Sequence, residues 1–310
     1  MSIDSVLVCK YCGHDGPPEK HQVKEMMFGT GETFNIGSCQ VCGSLHLLDI
    51  PDDLSPYYPP NYYSLNTLVT SGPVKKLLKR WRYRFFLSGL SFFRPIFGQW
   101  MLCSQTATSA RIADIGCGNG QLLYEMHVAG FSNLEGYDPF IPGDQVIAPG
   151  LKLFKKPLAQ IEGTFDLIMM HHALEHMENP EEILRKCKGL LSKKGVLLIR
   201  IPVSDARVWE EEGVNWVQLD VPRHLHIPSI AGIKSLTERL GFKLKAMDFD
   251  STAFQFWGTA LYKEGIPLSK AGEQYFSEAA LKAWQQKALL YNQQGLGDQV
   301  CFYFVKSESD

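Results

Sequence analysis

The stretch Ala113-Asp114-Ile115-Gly116-Cys117-Gly118-Asn119-Gly120 constrains the fold of this chain more than any other. It follows a short apolar run and opens a helical one. Glycines at alternate positions let the backbone turn tightly and approach a ligand closely, because no Cβ intervenes. A dinucleotide fingerprint, G-x-G-x-x-G, would need its third glycine at position 121, which is Gln121. The spacing is instead G-x-G-x-G, preceded by the acid Asp114. An acid there suits a ligand carrying positive charge better than a pyrophosphate. Further along, Gly136-Tyr137-Asp138-Pro139 puts a second acid at a strand end, where such acids accept the hydroxyls of a ribose.

Around this loop, short apolar runs alternate with helical stretches. Strands are expected at Ile112–Ile115, Leu134–Tyr137, Phe165–Met169 and Val196–Ile201, and helices at Gln121–Ala129, Pro180–Leu191 and Ile230–Leu240. Such alternation indicates βαβ units and a parallel sheet covered on both faces. Two late strands, Phe242–Asp248 and Val300–Val305, flank a polar helix near Glu273–Gln293 and suit a hairpin-like pair at a sheet edge. The fold class expected is α/β: a doubly wound, mostly parallel seven-stranded sheet with an antiparallel late pair, plus a small N-terminal zinc-binding module.

That module rests on Cys9-Lys10-Tyr11-Cys12 and Cys39-Gln40-Val41-Cys42, each pair followed by glycine. Two residues between thiolates let both reach one tetrahedral zinc, and a closed four-sulfur site holds structure without catalysing. His14, His21 and His46 are read as bystanders, and Cys103, Cys117, Cys187 and Cys301 as ordinary thiols. Three regions follow: 1–50 as the zinc module, 51–74 as a connector, 75–310 as the main domain. Prolines in the connector, Pro51 to Ser64, suggest an extended segment lying against the main domain. Residues Lys75 to Met101 have helical character broken by Gly89 and Pro95.

At the glycine loop and Asp138 the sequence resembles the class I S-adenosylmethionine-dependent methyltransferases, from about Arg111 to Phe304. The resemblance implies S-adenosylmethionine as cofactor, with contacts from Asp114, Gly116, Gly118 and Asp138. It makes Phe165 to His176 the fourth strand and a following loop that borders the sulfonium and the acceptor, with His171 against the cofactor. Lys156-Pro157-Leu158 falls where the adenine sits in that family.

His172-Ala173-Leu174-Glu175-His176 also spells the zinc-protease pattern H-x-x-E-H. Protease chemistry would need those histidines on one long helix with a third ligand elsewhere, whereas here they leave an apolar strand. His172, nearest the strand end, is the better site candidate; Glu175 and His176 either contact substrate or pin the next helix.

The segment after Ile201 leaves the carboxyl end of a strand, where open α/β sheets bind ligands. It carries Trp209, Trp216, Asp220 and Pro222-Arg223-His224-Leu225-His226. This stretch resembles methyltransferases of surface-polysaccharide and secondary-metabolite pathways. The sugar C-methyltransferases among them share a paired-cysteine zinc module and keep a tyrosine, a glutamate and a histidine here. The matching positions are Val221, Arg223 and His224, so only the histidine is retained, and O-methylation moves ahead of C-methylation. Histidine suits proton removal near neutrality. His224 is the first candidate for general base, or for orienting the attacking oxygen, and His172 the second. His226 is expected to be structural.

The formal charge of −2 argues against a partner bound mainly through phosphates. The expected acceptor is a sugar, nucleotide-sugar or related small molecule. An RNA base methyltransferase is the alternative, and a cofactor-binding pseudoenzyme scaffold is the non-enzyme alternative. The segment Lys75 to Phe86 is basic and aromatic; it reads as a covering helix, with contact to an anionic membrane surface second and self-association third. Paired and scattered cysteines, without a signal peptide or an apolar stretch of about 20 residues, point to a reducing cytoplasm.

Overall fold

The computed structural model describes residues 7–59 and 67–307. Five short strands occupy the cysteine region: β1 (Leu7–Val8), β2 (Asp15–Gly16), β3 (Glu19–Lys24), β4 (Thr33–Ser38) and β5 (Leu45–Leu47). Two helices precede the glycine loop, α1 (Pro73–Leu87) and α2 (Gly98–Ser104). The chain breaks between them around Gly89 and Pro95, as the sequence indicates. Then come β6 (Arg111–Ile115), α3 (Gln121–Ala129), β7 (Asn133–Tyr137), β8 (Gln145–Ala148), β9 (Leu151–Phe154) and β10 (Phe165–His171). They are followed by α4 (Pro180–Leu190), β11 (Leu191–Pro202), α5 (Arg207–Glu212), β12 (His226–Ile227), α6 (Ile230–Arg239) and β13 (Phe242–Phe249). Last are α7 (Phe254–Lys263), α8 (Glu278–Gln294) and β14 (Gln299–Lys306).

The main sheet runs β13-β14-β11-β10-β6-β7-β9-β8. Strands β11, β10, β6, β7 and β9 are mutually parallel, while β14 lies antiparallel to both β11 and β13. The sheet therefore has eight strands, not the seven expected. The extra one is β8, folded antiparallel onto β9 by the turn Pro149-Gly150, with Gly150 at φ +80°. The late pair is also more integrated than an edge hairpin, since β14 inserts between β11 and β13. Central β10 shows why the parallel strands read as apolar runs. Leu167, Ile168, Met169 and Met170 are all fully buried, alternating between two cores. One core gathers residues of α4 and α6 and the other those of α1, α2 and α3.

A second, four-stranded sheet runs β12-β5-β4-β3. Its β12 comes from the segment after β11, so the cysteine region and the acceptor-side loop share backbone hydrogen bonds. Of the connector, Ser55–Tyr57 is a 3-10 turn and not extended. Tyr57 is buried there, with its ring against Phe34 and its hydroxyl donating to Glu32 at 2.9 Å. Pro60 to Ser64 lie outside the described residues. Helix α1 buries Tyr83 and Phe86, leaving Leu77, Leu78, Trp81 and Phe85 exposed. Among the described residues, no helix is long and apolar enough to cross a membrane.

Candidate functional site

The glycine loop sits at the carboxyl ends of β6 and β7. The amide of Gly116 donates to the Tyr137 carbonyl at 2.8 Å, joining the two strand ends. Gly116 has φ +76°, and a Cβ built on it would stand 2.8 Å from the Ala173 Cβ. The position excludes any larger residue on both counts. Asp138 secures the other side: its carboxylate accepts from the Gly118 amide at 3.0 Å and from the Phe140 amide at 2.8 Å. Asp114 lies buried close by, and its carboxyl is pushed up to about 8, first by burial and then by the charge of Asp138. Two facing acids of which one holds a proton make a pocket ready for a cationic ligand.

Beside the ends of β7 and β9 opens a cavity of about 290 Å³ lined by Tyr137, Phe154, Lys156, Gln160, Ile161 and Glu162. The rings of Tyr137 and Phe154 stack at 5.2 Å, so one wall is aromatic, while Lys156, Gln160 and Glu162 make the rest of the lining largely polar. His171 ends β10 with its ring 4.3 Å from that of Trp100, and both ring nitrogens are buried without a hydrogen-bond partner.

One residue later the backbone turns. His172 has φ +49°, a left-handed value that a non-glycine residue keeps only where its surroundings impose it. Leu174–His176 is a 3-10 turn, so the H-x-x-E-H residues do not share a long helix. The turn gathers a cluster. His172 Nδ1 bonds the Glu175 carboxylate at 3.2 Å, and His224 Nε2 lies 4.0 Å from the same oxygen. The rings of His176 and His224 meet edge to face at 4.8 Å. Burial acts to raise the Glu175 carboxyl, and only the bond from His172 together with the electrostatic influence of His172, His224 and His176 turns the balance and holds it below its ordinary value. His176 is pushed down to about 4 by burial and then by His224, so its ring is neutral near pH 7.

The structure brings His172 and His224 together, and it differs between them in access. The His172 side chain is 28% exposed, that of His224 only 6%. Sequence reasoning undervalued Glu175, which is fully buried at the centre of the cluster. Its signal was the acid inside the H-x-x-E-H run. His226 is tied into the fold: it receives a bond from the Tyr11 hydroxyl and donates to the Met177 carbonyl, both at 2.7 Å.

The four cysteines of the N-terminal pairs meet with every sulfur within 4.8 Å of the others. Cys9–Cys42 and Cys12–Cys39 are each 3.6 Å apart. That is too long for a disulfide and close to the edge, about 3.8 Å, of a tetrahedron with metal–sulfur bonds of about 2.3 Å. His46 is not one of this set, but its Nε2 lies 3.4 Å from Cys9 Sγ. Arg223 then clamps this region to the acceptor side. Its fully buried guanidinium pairs with Glu25 and Asp220, both at 2.7 Å, and lies over the Phe28 ring.

The family described as a methyltransferase domain matches residues 78–246, more than half of the chain. A tRNA U34 carboxymethyltransferase from Campylobacter jejuni is 29% identical over 147 residues, 43% of this chain and 49% of that protein. The chain thus spans about half the length of the curated relatives it matches. Among solved structures, the cyclopropane synthase MmaA2 from Mycobacterium tuberculosis is 15% identical, with a TM-score of 0.44 over 68% of this chain and 84% of that one. An S-adenosylmethionine-dependent methyltransferase from Mesorhizobium loti is also 15% identical, with a TM-score of 0.44 over 67% of this chain and 96% of that one.

Proposed function

The chain belongs to that methyltransferase family, and from this premise we propose that it methylates a hydroxyl of a small acceptor, a sugar or nucleotide-sugar, using S-adenosylmethionine. The observation that carries the reading is the junction of the glycine loop with the histidine cluster. A Cβ on Gly116 would touch Ala173, the neighbour of His172, so a ligand cradled by the loop lies next to a group able to take a proton. The residues fit the cofactor: Asp138 for the ribose hydroxyls, Asp114 with the Gly116 and Gly118 backbone for the charged amino-acid end, His171 near the sulfonium. When bound, the cofactor supplies a methyl group on a positively charged sulfur.

His172 takes the proton of the acceptor hydroxyl and His224 orients the attacking oxygen. Exposure supports that order, the reverse of the one the sequence suggests, together with the carboxylate behind His172 that orients its ring. Arg223 supports oxygen over carbon as the acceptor. It stands where the sugar C-methyltransferases keep a glutamate, and it is held in buried ion pairs away from catalysis. Cys9, Cys12, Cys39 and Cys42 would hold one structural zinc, with His46 bonded to a ligand sulfur. The division into a zinc module (1–50), a connector (51–74) and a methyltransferase domain (75–310) remains our reading; it is supported by the placement of the sulfur cluster and the main sheet in separate segments.

An RNA acceptor is the second reading, favoured by the name of the curated relatives. Residues 54–110 also contain three lysines and four arginines but no acid. The exposed Leu77, Leu78, Trp81, Phe92 and Ile96 in that segment favour an anionic lipid surface over RNA as its contact, because phosphate recognition has no use for them. The test is release of adenosylhomocysteine by the purified protein with a panel of nucleotide-sugars and, separately, bulk tRNA. Turnover with tRNA alone would replace the leading reading with the second.

A further inference from the structure

We propose that Glu175, His176 and His224 form a second metal site, distinct from the cysteine cluster, for a divalent first-row transition-metal ion beside the methyl-donor pocket. One potential ligand atom from each residue lies within 4.8 Å of the other two. The hydrogen bonds around them fix which atoms are free. His224 Nδ1 lies 2.7 Å from the Gln218 carbonyl and His176 Nδ1 lies 2.9 Å from the Arg223 carbonyl. A carbonyl only accepts, so each Nδ1 carries the hydrogen, and a ring holding a single hydrogen keeps its lone pair on Nε2. Backbone carbonyls hold metal-ligating histidines in this way, leaving the other nitrogen for the ion.

Glu175 adds the charge. One of its oxygens accepts from His172, and the other is buried with no hydrogen-bond partner among the described residues. His224 Nε2 faces the carboxylate at 4.0 Å, beyond hydrogen-bond reach. A shared proton would close that gap to about 3 Å. Acceptors that converge without a donor between them, one of them a buried carboxylate oxygen, are costly, and a cation resolves the conflict. Two imidazoles and one carboxylate suit Mn²⁺, Fe²⁺, Co²⁺ or Zn²⁺, and three protein ligands leave positions open. The open positions would take two neighbouring oxygens of an acceptor such as a vicinal diol. This last step rests on the hydroxyl-methylation reading; ion binding itself does not.

The test reads the ion without acceptor or turnover. Protein whose cysteine site is already zinc-loaded is titrated with Co²⁺, and in parallel with Mn²⁺ followed by loss of the free-ion paramagnetic signal. The expected result is one further ion per chain, with cobalt bands of nitrogen–oxygen character and no thiolate charge-transfer band. His224→Asn places an amide where Nδ1 stood, preserving the bond to Gln218 while deleting the ligand nitrogen. It should weaken binding at least about tenfold. Glu175→Gln should do the same, and zinc content should stay at the wild-type value in both. Wild-type protein that takes up no Co²⁺ or Mn²⁺ beyond the cysteine site overturns the proposal. So does a thiolate-type spectrum, or undiminished binding in the two variants combined. Because no methyl transfer is measured, either result leaves the methylation reading standing, and failure to bind adenosylmethionine would leave this one standing.

Discussion

Replacing Asp138 by Asn tests the cofactor end of the site most sharply. The carboxylate spends one oxygen on the Gly118 amide at 3.0 Å and the other on the Phe140 amide at 2.8 Å. Asparagine keeps a single acceptor, so its own amide would face a backbone N–H and one of these bonds is lost. The charge that strengthens acceptance from ligand hydroxyls is lost as well. Together these should weaken adenosylmethionine binding by about 1–3 kcal/mol, roughly 5- to 150-fold in Kd. A second signature comes from Asp114, whose carboxyl stands at about 8 through burial and the Asp138 charge. In the ligand-free protein at pH 7 it therefore holds a proton, and a cationic ligand favours the carboxylate. Binding should release a proton, and affinity should rise with pH up to about 8 and then level off. For stability the sign is opposite to that of a paired acid. The folded state binds this proton more tightly than the unfolded chain does. This group's effect is absent below the ordinary carboxylate range, and it lowers the ligand-free stability progressively as pH climbs towards 8. The Asn variant removes the charge term and leaves burial, so its proton release at pH 7 should shrink. Calorimetry in buffers of different ionisation enthalpy reads both quantities. A variant that binds within twofold of wild type with the same proton release would refute the reasoning, as would wild-type protein that binds NAD tightly and adenosylmethionine not at all.

Elemental analysis of untagged protein should find close to one zinc per chain in the cysteine site, and Cys39→Ser should abolish that zinc and lower the melting temperature by several degrees. His172→Ala should reduce turnover by about 10²–10⁴-fold with adenosylmethionine affinity nearly unchanged by calorimetry, whereas a fall confined to melting temperature would mark the histidine as structural. Arg223→Met leaves Glu25 and Asp220 buried without their cation, so urea unfolding should show a loss of about 3–5 kcal/mol. Adding Glu25→Gln and Asp220→Asn should recover part of it.

Much of the framework could be read from local pattern. Helix α3 begins and ends where the glycine loop and Gly130 place it, and β6, β7 and β10 coincide with their apolar runs to within two residues. Strands β8 and β9 were missed although the Pro149-Gly150 turn between apolar residues signalled them, because β8 opens on two exposed residues and β9 is only four residues long. Helix α7 was missed because Phe254, Phe256, Trp257 and Gly258 are weak helix formers gathered within five residues. The cysteine pairing was visible because ligand spacing is a local property.

From the chain alone came the glycine loop, the two acids at strand ends, the thiolate spacing and the alternation of strands and helices around the glycine loop, all set by contacts among near neighbours. The role of Arg223 was decided by tertiary structure, because its partner Glu25, just after β3, stands 198 residues away in the chain. So was the pairing of β12 with β5, which no periodicity across so long a separation could announce. The histidine cluster belongs to this second class. His172, Glu175 and His176 are adjacent in sequence, but His224 reaches them only because two loops leave neighbouring parallel strands at the same edge. Burial then orders their access, and access depends on everything packed around a residue, which its own neighbours in sequence do not specify.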